Sequence, residues 1–299
     1  MPGTVDLPSI PEPLPPAAAD IVAMTTSTST TASTGAEPSP IATTTSTVNP
    51  PVVDTVGSSL PLETTTVPTV DSAAQVSEPV PALAIEALEP PAEAVGHEDG
   101  PATKVIQVRL LQLGFWNAGV DGKYGLATTQ AVMAFQKYSG LEPTGDVDAL
   151  TAAALSTGGG RVRGAADTGN LIEIDKRRQL LFIIQDGTTL WALNTSTGNG
   201  QPYEQEDVNT PGEIVRGVAL TPDGLWKVNR ERPEGWWEGD LGQIYRPKYF
   251  RGGIAVHGSN TIPNYPASHG CVRVSVPAMD FIWAQNLMPL GTQVWVHDG

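Results

Sequence analysis

The first hundred residues contain no lysine, no arginine and no Phe, Tyr or Trp. They hold thirteen acids and long runs of Thr, Ser, Pro and Ala, as in "TTSTSTTASTGAEPSPIATTTSTVNPP". Such a stretch has too little apolar surface to offset the entropy of ordering it. Residues 1–100 are therefore expected to be a disordered acidic spacer, kept extended by Pro and like charge. The whole chain carries a formal charge of −15, from 32 acids and 17 basic residues. Thirteen of those negative charges fall in the first third, so the remaining 199 residues are close to neutral (19 acids, 17 bases, −2). No basic tract points to nucleic acid, and nothing favours an electrostatic membrane anchor.

No stretch approaches the ~18 apolar residues of a membrane-spanning helix. The start, "MPGTVDLPSI", lacks a basic n-region and an apolar h-region, so no export signal is visible. A single cysteine, Cys271, excludes an internal disulfide framework and is expected to be either an inert buried thiol or a reactive one.

From about residue 101 the pattern becomes that of a folded chain. "TKVIQVRLLQLGFW" places Val105, Val108 and Leu111 on one helical stripe and Ile106, Leu110 and Leu113 on the next, with Gly114 as a stop. After a turn with an Asp-Gly step at 121–122, "LATTQAVMAFQKYSG" predicts a second helix burying Ala131, Val132 and Phe135 and ending at Gly140. A short third helix is expected near "DVDALTAAAL", capped near Asp146.

Beyond a Gly- and Arg-rich linker, 158–169, the period becomes that of strands. "NLIEIDKRRQLLFIIQDGTTLWALNTSTG" reads as three strands with turns at 175–178 and 185–188. "TPDGLWKVNR" adds a turn and a strand, "ERPEGWWEGDLGQIYRPKYF" reads as a long loop, and "GGIAVHG" as a buried strand ending at His257. "VPAMDFIWAQNLM" is a helix with Ser275 as its N-cap, and "GTQVWV" a closing strand.

The chemistry concentrates in "AVHGSNTIPNYPASHGCVRVS". A thiol becomes a competent nucleophile as the thiolate, and a neighbouring imidazole is the usual means of forming one. Cys271 has His257 and His269 upstream, two of the four histidines in the chain. Gly270 permits a tight turn beside the sulfur, and its amide and that of Cys271 are potential donors to an oxyanion. Arg273 is a fixed cation suited to a carboxylate. As a metal set, His257, His269 and Cys271 lack a fourth ligand, and a His-x-Cys pair chelates zinc poorly, so no metal or cofactor is expected. His97 falls in the spacer and His297 near the end.

Two resemblances organise these observations. "VRLLQLGFW", "VDGKYGLATTQAVMAFQKYSGL" and "TGDVDALTAAAL" resemble the small helical peptidoglycan-binding domain of bacterial cell-wall enzymes. "IEIDKRRQLLFI", "STG", "TPDGLWKV", "GGIAVHGS", "SHGCVRVS" and "GTQVWV" resemble the YkuD-type catalytic domain of L,D-transpeptidases. Together they imply a multidomain chain: a spacer (1–100), a three-helix peptidoglycan-binding domain (101–157), a linker (158–169) and a mainly β catalytic domain with a short helix near the reactive loop (170–299).

The resemblance implies that Cys271 acylates itself on a peptidoglycan stem peptide and passes the acyl group to a second stem, forming a 3→3 cross-link. It gives His257 the proton transfer, with its ring oriented by the Gly258 carbonyl, and His269 an auxiliary role. Gly270 and Cys271 supply the oxyanion hole. Ser268, Arg273 and Tyr249 are expected at the substrate, with the Trp236–Trp237 pair as possible cleft lining. The implied partners are murein and carbapenem-type β-lactams. The loop from His257 to Ser268 is shorter than in several members, which puts the lid's shape in question. Murein lies outside the cytoplasm, so export to the cell wall or periplasm is expected, with the true start upstream or the chain truncated. An L,D-carboxypeptidase or protein-anchoring enzyme shares the same acyl-enzyme, and an inert wall binder remains a third reading. An activated Cys271 is expected to react much faster with iodoacetamide than a buried thiol.

Overall fold

The computed structural model describes residues 84–299, which fall in one compact unit. The disorder expected of residues 1–83 lies outside the described residues. Residues 84–100, assigned above to the spacer, are packed. Ile85 pairs with Gly159, Gly96 pairs with Val147, and the Leu88 N–H donates to Ser156 O at 2.9 Å. Ile85, Ala92 and Val95 give this strip an apolar edge that the Thr-rich run before it lacks.

Three helices follow: α1 (Pro101–Leu113), α2 (Leu126–Ser139) and α3 (Ala149–Ser156). Pro101 opens α1, where its missing N–H is harmless, and Gly114 closes it at φ 89°, a conformation that favours glycine. Of the two stripes expected on α1, only Ile106, Leu110 and Leu113 are buried, while Val105 and Val108 are exposed. Polar side chains complete the buried face. Arg109 donates to the carbonyls of Leu155 and Thr157, both at 2.7 Å. Gln107 grips the turn at 121–122, donating to the Asp121 carboxylate and accepting from the Gly122 N–H. In α2, Ala131, Val132 and Phe135 are buried as expected. Helix α3 is capped by Asp148 rather than Asp146: the Asp148 carboxylate accepts the Thr151 N–H at 2.7 Å.

The rest is mainly β: β1 (Leu171–Asp175), β2 (Leu180–Gln185), β3 (Thr188–Asn194), β4 (Pro202–Glu206), β5 (Ile214–Val218), β6 (Gly224–Lys227), β7 (Arg230–Glu231), β8 (Trp236–Gly239), β9 (Gly242–Arg251), β10 (Ile254–Ser259), β11 (Val272–Ser275), α4 (Val276–Ala284) and β12 (Gln293–His297). One sheet runs β3-β2-β1-β12-β6; a second runs β11-β10-β9-β7, with β8 also on β9; β4 and β5 form a separate hairpin. The stretch read as a long loop is in fact β7, β8 and β9. Its strands are held by Trp236 against Tyr245 and by Arg232 stacked 3.5 Å from the Trp237 ring centroid, pairings that leave no apolar alternation to read.

Ile172, Ile174, Leu181 and Ile183 of the first sheet share a core with Val256, Val272 and Val274 of the second and with Met279 and Ile282 of α4. Leu171, Leu180, Phe182, Ile184 and Ala192, on the first sheet's other face, share a second core with Leu110, Leu113, Phe115 and Phe135. The helical module is thus built onto the back of the β domain. Residues 158–169 do not behave as a free tether: Val162 is buried and donates to Leu113 O, and Arg161 bridges Leu111 O, Gln112 O and Leu190 O.

Candidate active site

Strands β10 and β11 run parallel with Val256 opposite Val272 and His257 opposite Arg273. Side chains alternate across a sheet, so Val256, Val272 and Val274 enter the core while Ala255 and His257, with Cys271 and Arg273, share the other face. His257 lies within β10, not at its end, and is buried, 3% exposed. Cys271 immediately precedes β11 and is half-buried.

His257 Nδ1 lies 2.8 Å from Gly258 O. A carbonyl can only accept, so Nδ1 carries the proton and Nε2 is left as the acceptor. Gly258 is required here, because a Cβ would come within 2.9 Å of the Tyr245 ring and 3.2 Å of Met279. Burial pushes the His257 pKa down to about 4, against the pull of the Gly258 carbonyl and with help from the Arg273 charge. Burial also pushes the Cys271 thiol up, although the Ala255 N–H and Arg273 favour its thiolate. The sulfur's hydrogen bond goes to Gly253 O at 3.7 Å. Both shifts favour the uncharged forms, a neutral thiol beside a neutral imidazole.

Ser268 organises the turn before the sulfur. Its hydroxyl donates to Cys271 O and accepts the Gly270 N–H at 3.0 Å. In this conformation the Gly270 amide is engaged, so its service to an oxyanion requires that bond to be exchanged. Gly270 itself has φ 133°, and a Cβ there would meet Leu220 O at 2.8 Å. His269 is exposed, and its ring packs edge-on against Tyr203 of the β4–β5 hairpin, centroids 4.8 Å apart. The Arg273 guanidinium forms no ion pair among the described residues. Tyr249, expected at the substrate, is buried under Arg230, whose guanidinium lies 3.9 Å from its ring centroid; this is packing. Trp236 and Trp237 are exposed on β8.

Several contributors carried no role in the sequence reading. Residues 196–198, the "STG" after β3, run beside the reactive turn: Ser196 pairs with Arg273 and Gly198 with Ser268. Thr195 donates to Arg273 O, and Thr221 to Gly270 O, both at 2.7 Å. The loop from His257 to Ser268 is pinned by the helical module. Gln130 of α2 donates to Ile262 O at 3.3 Å and accepts from Asn194 at 2.7 Å, and Asn264 donates to Pro143 O. The "STG" and "TPDG" motifs were visible as landmarks, but nothing in their residue types disclosed these backbone contacts. Among the described residues no group of three or more His, Cys, Asp or Glu is placed to hold a metal ion, and no helix is long and apolar enough to cross a membrane.

Comparison with known proteins agrees with this arrangement. The L,D-transpeptidase catalytic domain model matches residues 169–296, and a peptidoglycan binding domain model matches residues 99–155. A crystal structure of an L,D-transpeptidase from Xylanimonas cellulosilytica is 44% identical, covers 70% of this chain and 98% of its own, and superposes with a TM-score of 0.61. One from Stackebrandtia nassauensis is 20% identical over 68% of this chain and 96% of its own, at a TM-score of 0.38. No curated protein sequence matches. A helical module that matches a peptidoglycan binding domain model, followed by a mainly β domain, defines the class. The chain belongs to the L,D-transpeptidase family.

Proposed function

We propose that Cys271 is the nucleophile of an acyl transfer that joins two peptidoglycan stems by a 3→3 cross-link. The observation that supports it most is the shared face of β10 and β11, where Cys271, His257 and Arg273 project together. The thiol turns from Gly253 O toward His257 Nε2 and gives up its proton as the sulfur attacks the carbonyl between the third residue, a diamino acid, and the terminal D-Ala. The Cys271 N–H, and the Gly270 N–H once it leaves Ser268, stabilise the oxyanion. As the C–N bond breaks, His257 returns the proton to the departing D-Ala amine, leaving a thioester. A side-chain amine of a second stem attacks it, yields its proton to His257, and the sulfur leaves and is reprotonated.

In this scheme Arg273 binds a stem carboxylate, Ser268 holds the turn, and His269 assists from its place against Tyr203. Carbapenem-type β-lactams acylate the same sulfur. The helical module holds murein, and the enzyme works at the cell wall.

Purified disaccharide-tetrapeptide incubated with wild type and with Cys271→Ala, then weighed by mass spectrometry, tests the reading. We expect a dimer lighter than two monomers by one D-Ala, and a fall of about a thousandfold or more in its rate in the variant. Tripeptide without dimer would assign a carboxypeptidase. No cysteine-dependent product from competent donor and acceptor would mean an inert wall binder.

A further inference from the structure

A groove of about 350 Å3 opens where the helical module meets the β domain; Cys271, His257 and Arg273 do not line it, although residues 264–266 of the loop leading to the Cys271 turn do. Lys137 near the end of α2 contributes from one side, the β1–β2 turn at 176–179 from another, and residues 264–266 of the loop between His257 and Ser268 from a third. Four cations line it (Lys137, Lys176, Arg177 and Arg178) and no carboxylate does, in a chain whose acids outnumber its bases.

Two of these cations are already neutralised. Lys176 reaches Asp223 at 2.8 Å and Asp298 at 3.2 Å, and Arg178 is paired with the buried Asp175. Lys137 and Arg177 form no ion pair among the described residues. The Lys137 ammonium donates to Gln179 O at 3.2 Å and Thr195 O at 3.4 Å, which leaves one of its three donors unused. An ammonium withdrawn from water without a counter-ion is costly, and here burial pushes its pKa down to about 7.

We propose that this groove is a second anion site that takes the terminal carboxylate of a peptidoglycan stem other than the one at Cys271. The proposal rests on the reading of the chain as a stem-peptide enzyme. A carboxylate here gives the Lys137 ammonium its missing charge and meets Arg177, which lines the groove from the exposed turn. Leu141 and Pro143 offer a small apolar wall beside it, suited to the methyl group of a terminal alanine. Asp223 and Asp298, beside Lys176, disfavour a polyanion running through, so a single carboxylate fits better than a phosphodiester chain. The groove also touches the reactive loop. Gln179 donates to Thr197 Oγ1, and Thr197 O accepts the N–H groups of Ala267 and Ser268.

The test uses the full chain carrying Cys271→Ala, to stop turnover, and calorimetric titration with a free-acid tetrapeptide stem, its C-terminal amide, and glycerol phosphate. Two free-acid peptides are expected to bind per chain, and one after Lys137→Met. Arg177→Ala should weaken the second event by about tenfold, and it keeps the test sound if removing Lys137 loosens α2, because Arg177 is exposed. With Cys271 restored, the carbapenem acylation rate of each variant is read alongside, so that a loss confined to peptide binding is separated from a disturbance of the catalytic face passed through Thr195. Equal stoichiometry and affinity in parent and both variants would overturn the site. An amide that binds at the second site as tightly as the acid, or glycerol phosphate that displaces the peptide from it, would overturn the carboxylate assignment. Loss of dimer formation by wild type with Lys137-dependent binding intact would instead count against the catalytic reading alone.

Discussion

His257 sets the pH behaviour of the site. Its folded pKa is lowered to about 4, so the imidazole is neutral, and able to accept a proton, at every pH well above that value. The thiol is pushed the other way, so it stays protonated through neutrality. Between the two limits neither group changes charge. Acylation of Cys271 by a carbapenem is therefore expected to be nearly flat from about pH 5 to 8 and to fall only as His257 is protonated below that. A bell centred near neutrality, from a thiolate–imidazolium pair, would refute this. Iodoacetamide should alkylate Cys271 slowly at pH 7 and steadily faster above pH 9, as the thiolate forms. The candidate residues could be picked out in the sequence, because chemistry resides in residue type and His-Gly with Ser-His-Gly-Cys is a specific constellation, and the structure places His257 and Arg273 side by side on paired strands. Their resting charge could not be read there. That depends on how much protein surrounds each group, which a one-dimensional string does not record.

At the scale of elements, the reactive turn is held by the extension after β3, which has no room for a side chain at Gly198. Gly198 passes so close to Ala219 and Thr221 that a Cβ would lie 2.3 Å from Ala219 O. Gly198→Ala should lower the melting temperature by roughly 5 °C or more and slow acylation as well, since Gly198 pairs with Ser268. Gly160→Ala, where nothing lies within 4 Å, is the matched control and should leave both unchanged. Strands with strong apolar content, such as β2 with "LLFIIQ", could be read directly. The β4–β5 hairpin and β8 could not. "PYEQE" and "WWEG" are mostly solvent-facing, and they are held by backbone pairing, Arg216–Glu204 and aromatic stacking instead of an apolar stripe. On α1 the reverse happened: Val105 and Val108 had the right spacing, but Arg109 and Gln107 took the buried places because they satisfy carbonyls and a turn.

For the molecule as a whole, the joint between the modules was the least legible feature. Gln130, Lys137, Asn194 and Asn264 look like ordinary surface residues in sequence, yet they make the contacts between the helices and the β domain. Phe115 stands at the centre of that joint, stacked edge-on against Phe135 and paired through its backbone with Ala192. Residues 84–299 should consequently melt in one cooperative transition, and Phe115→Ala should destabilise it by about 3–5 kcal/mol without splitting it. Two resolved transitions by calorimetry would show the modules to be independent. A joint fixed in this way works as a gauge. On the proposed function, a glycan strand held by the helices would reach the sulfur at a set distance and angle, and spacing along the wall, not random search at the end of a tether, would decide which neighbouring strand can react.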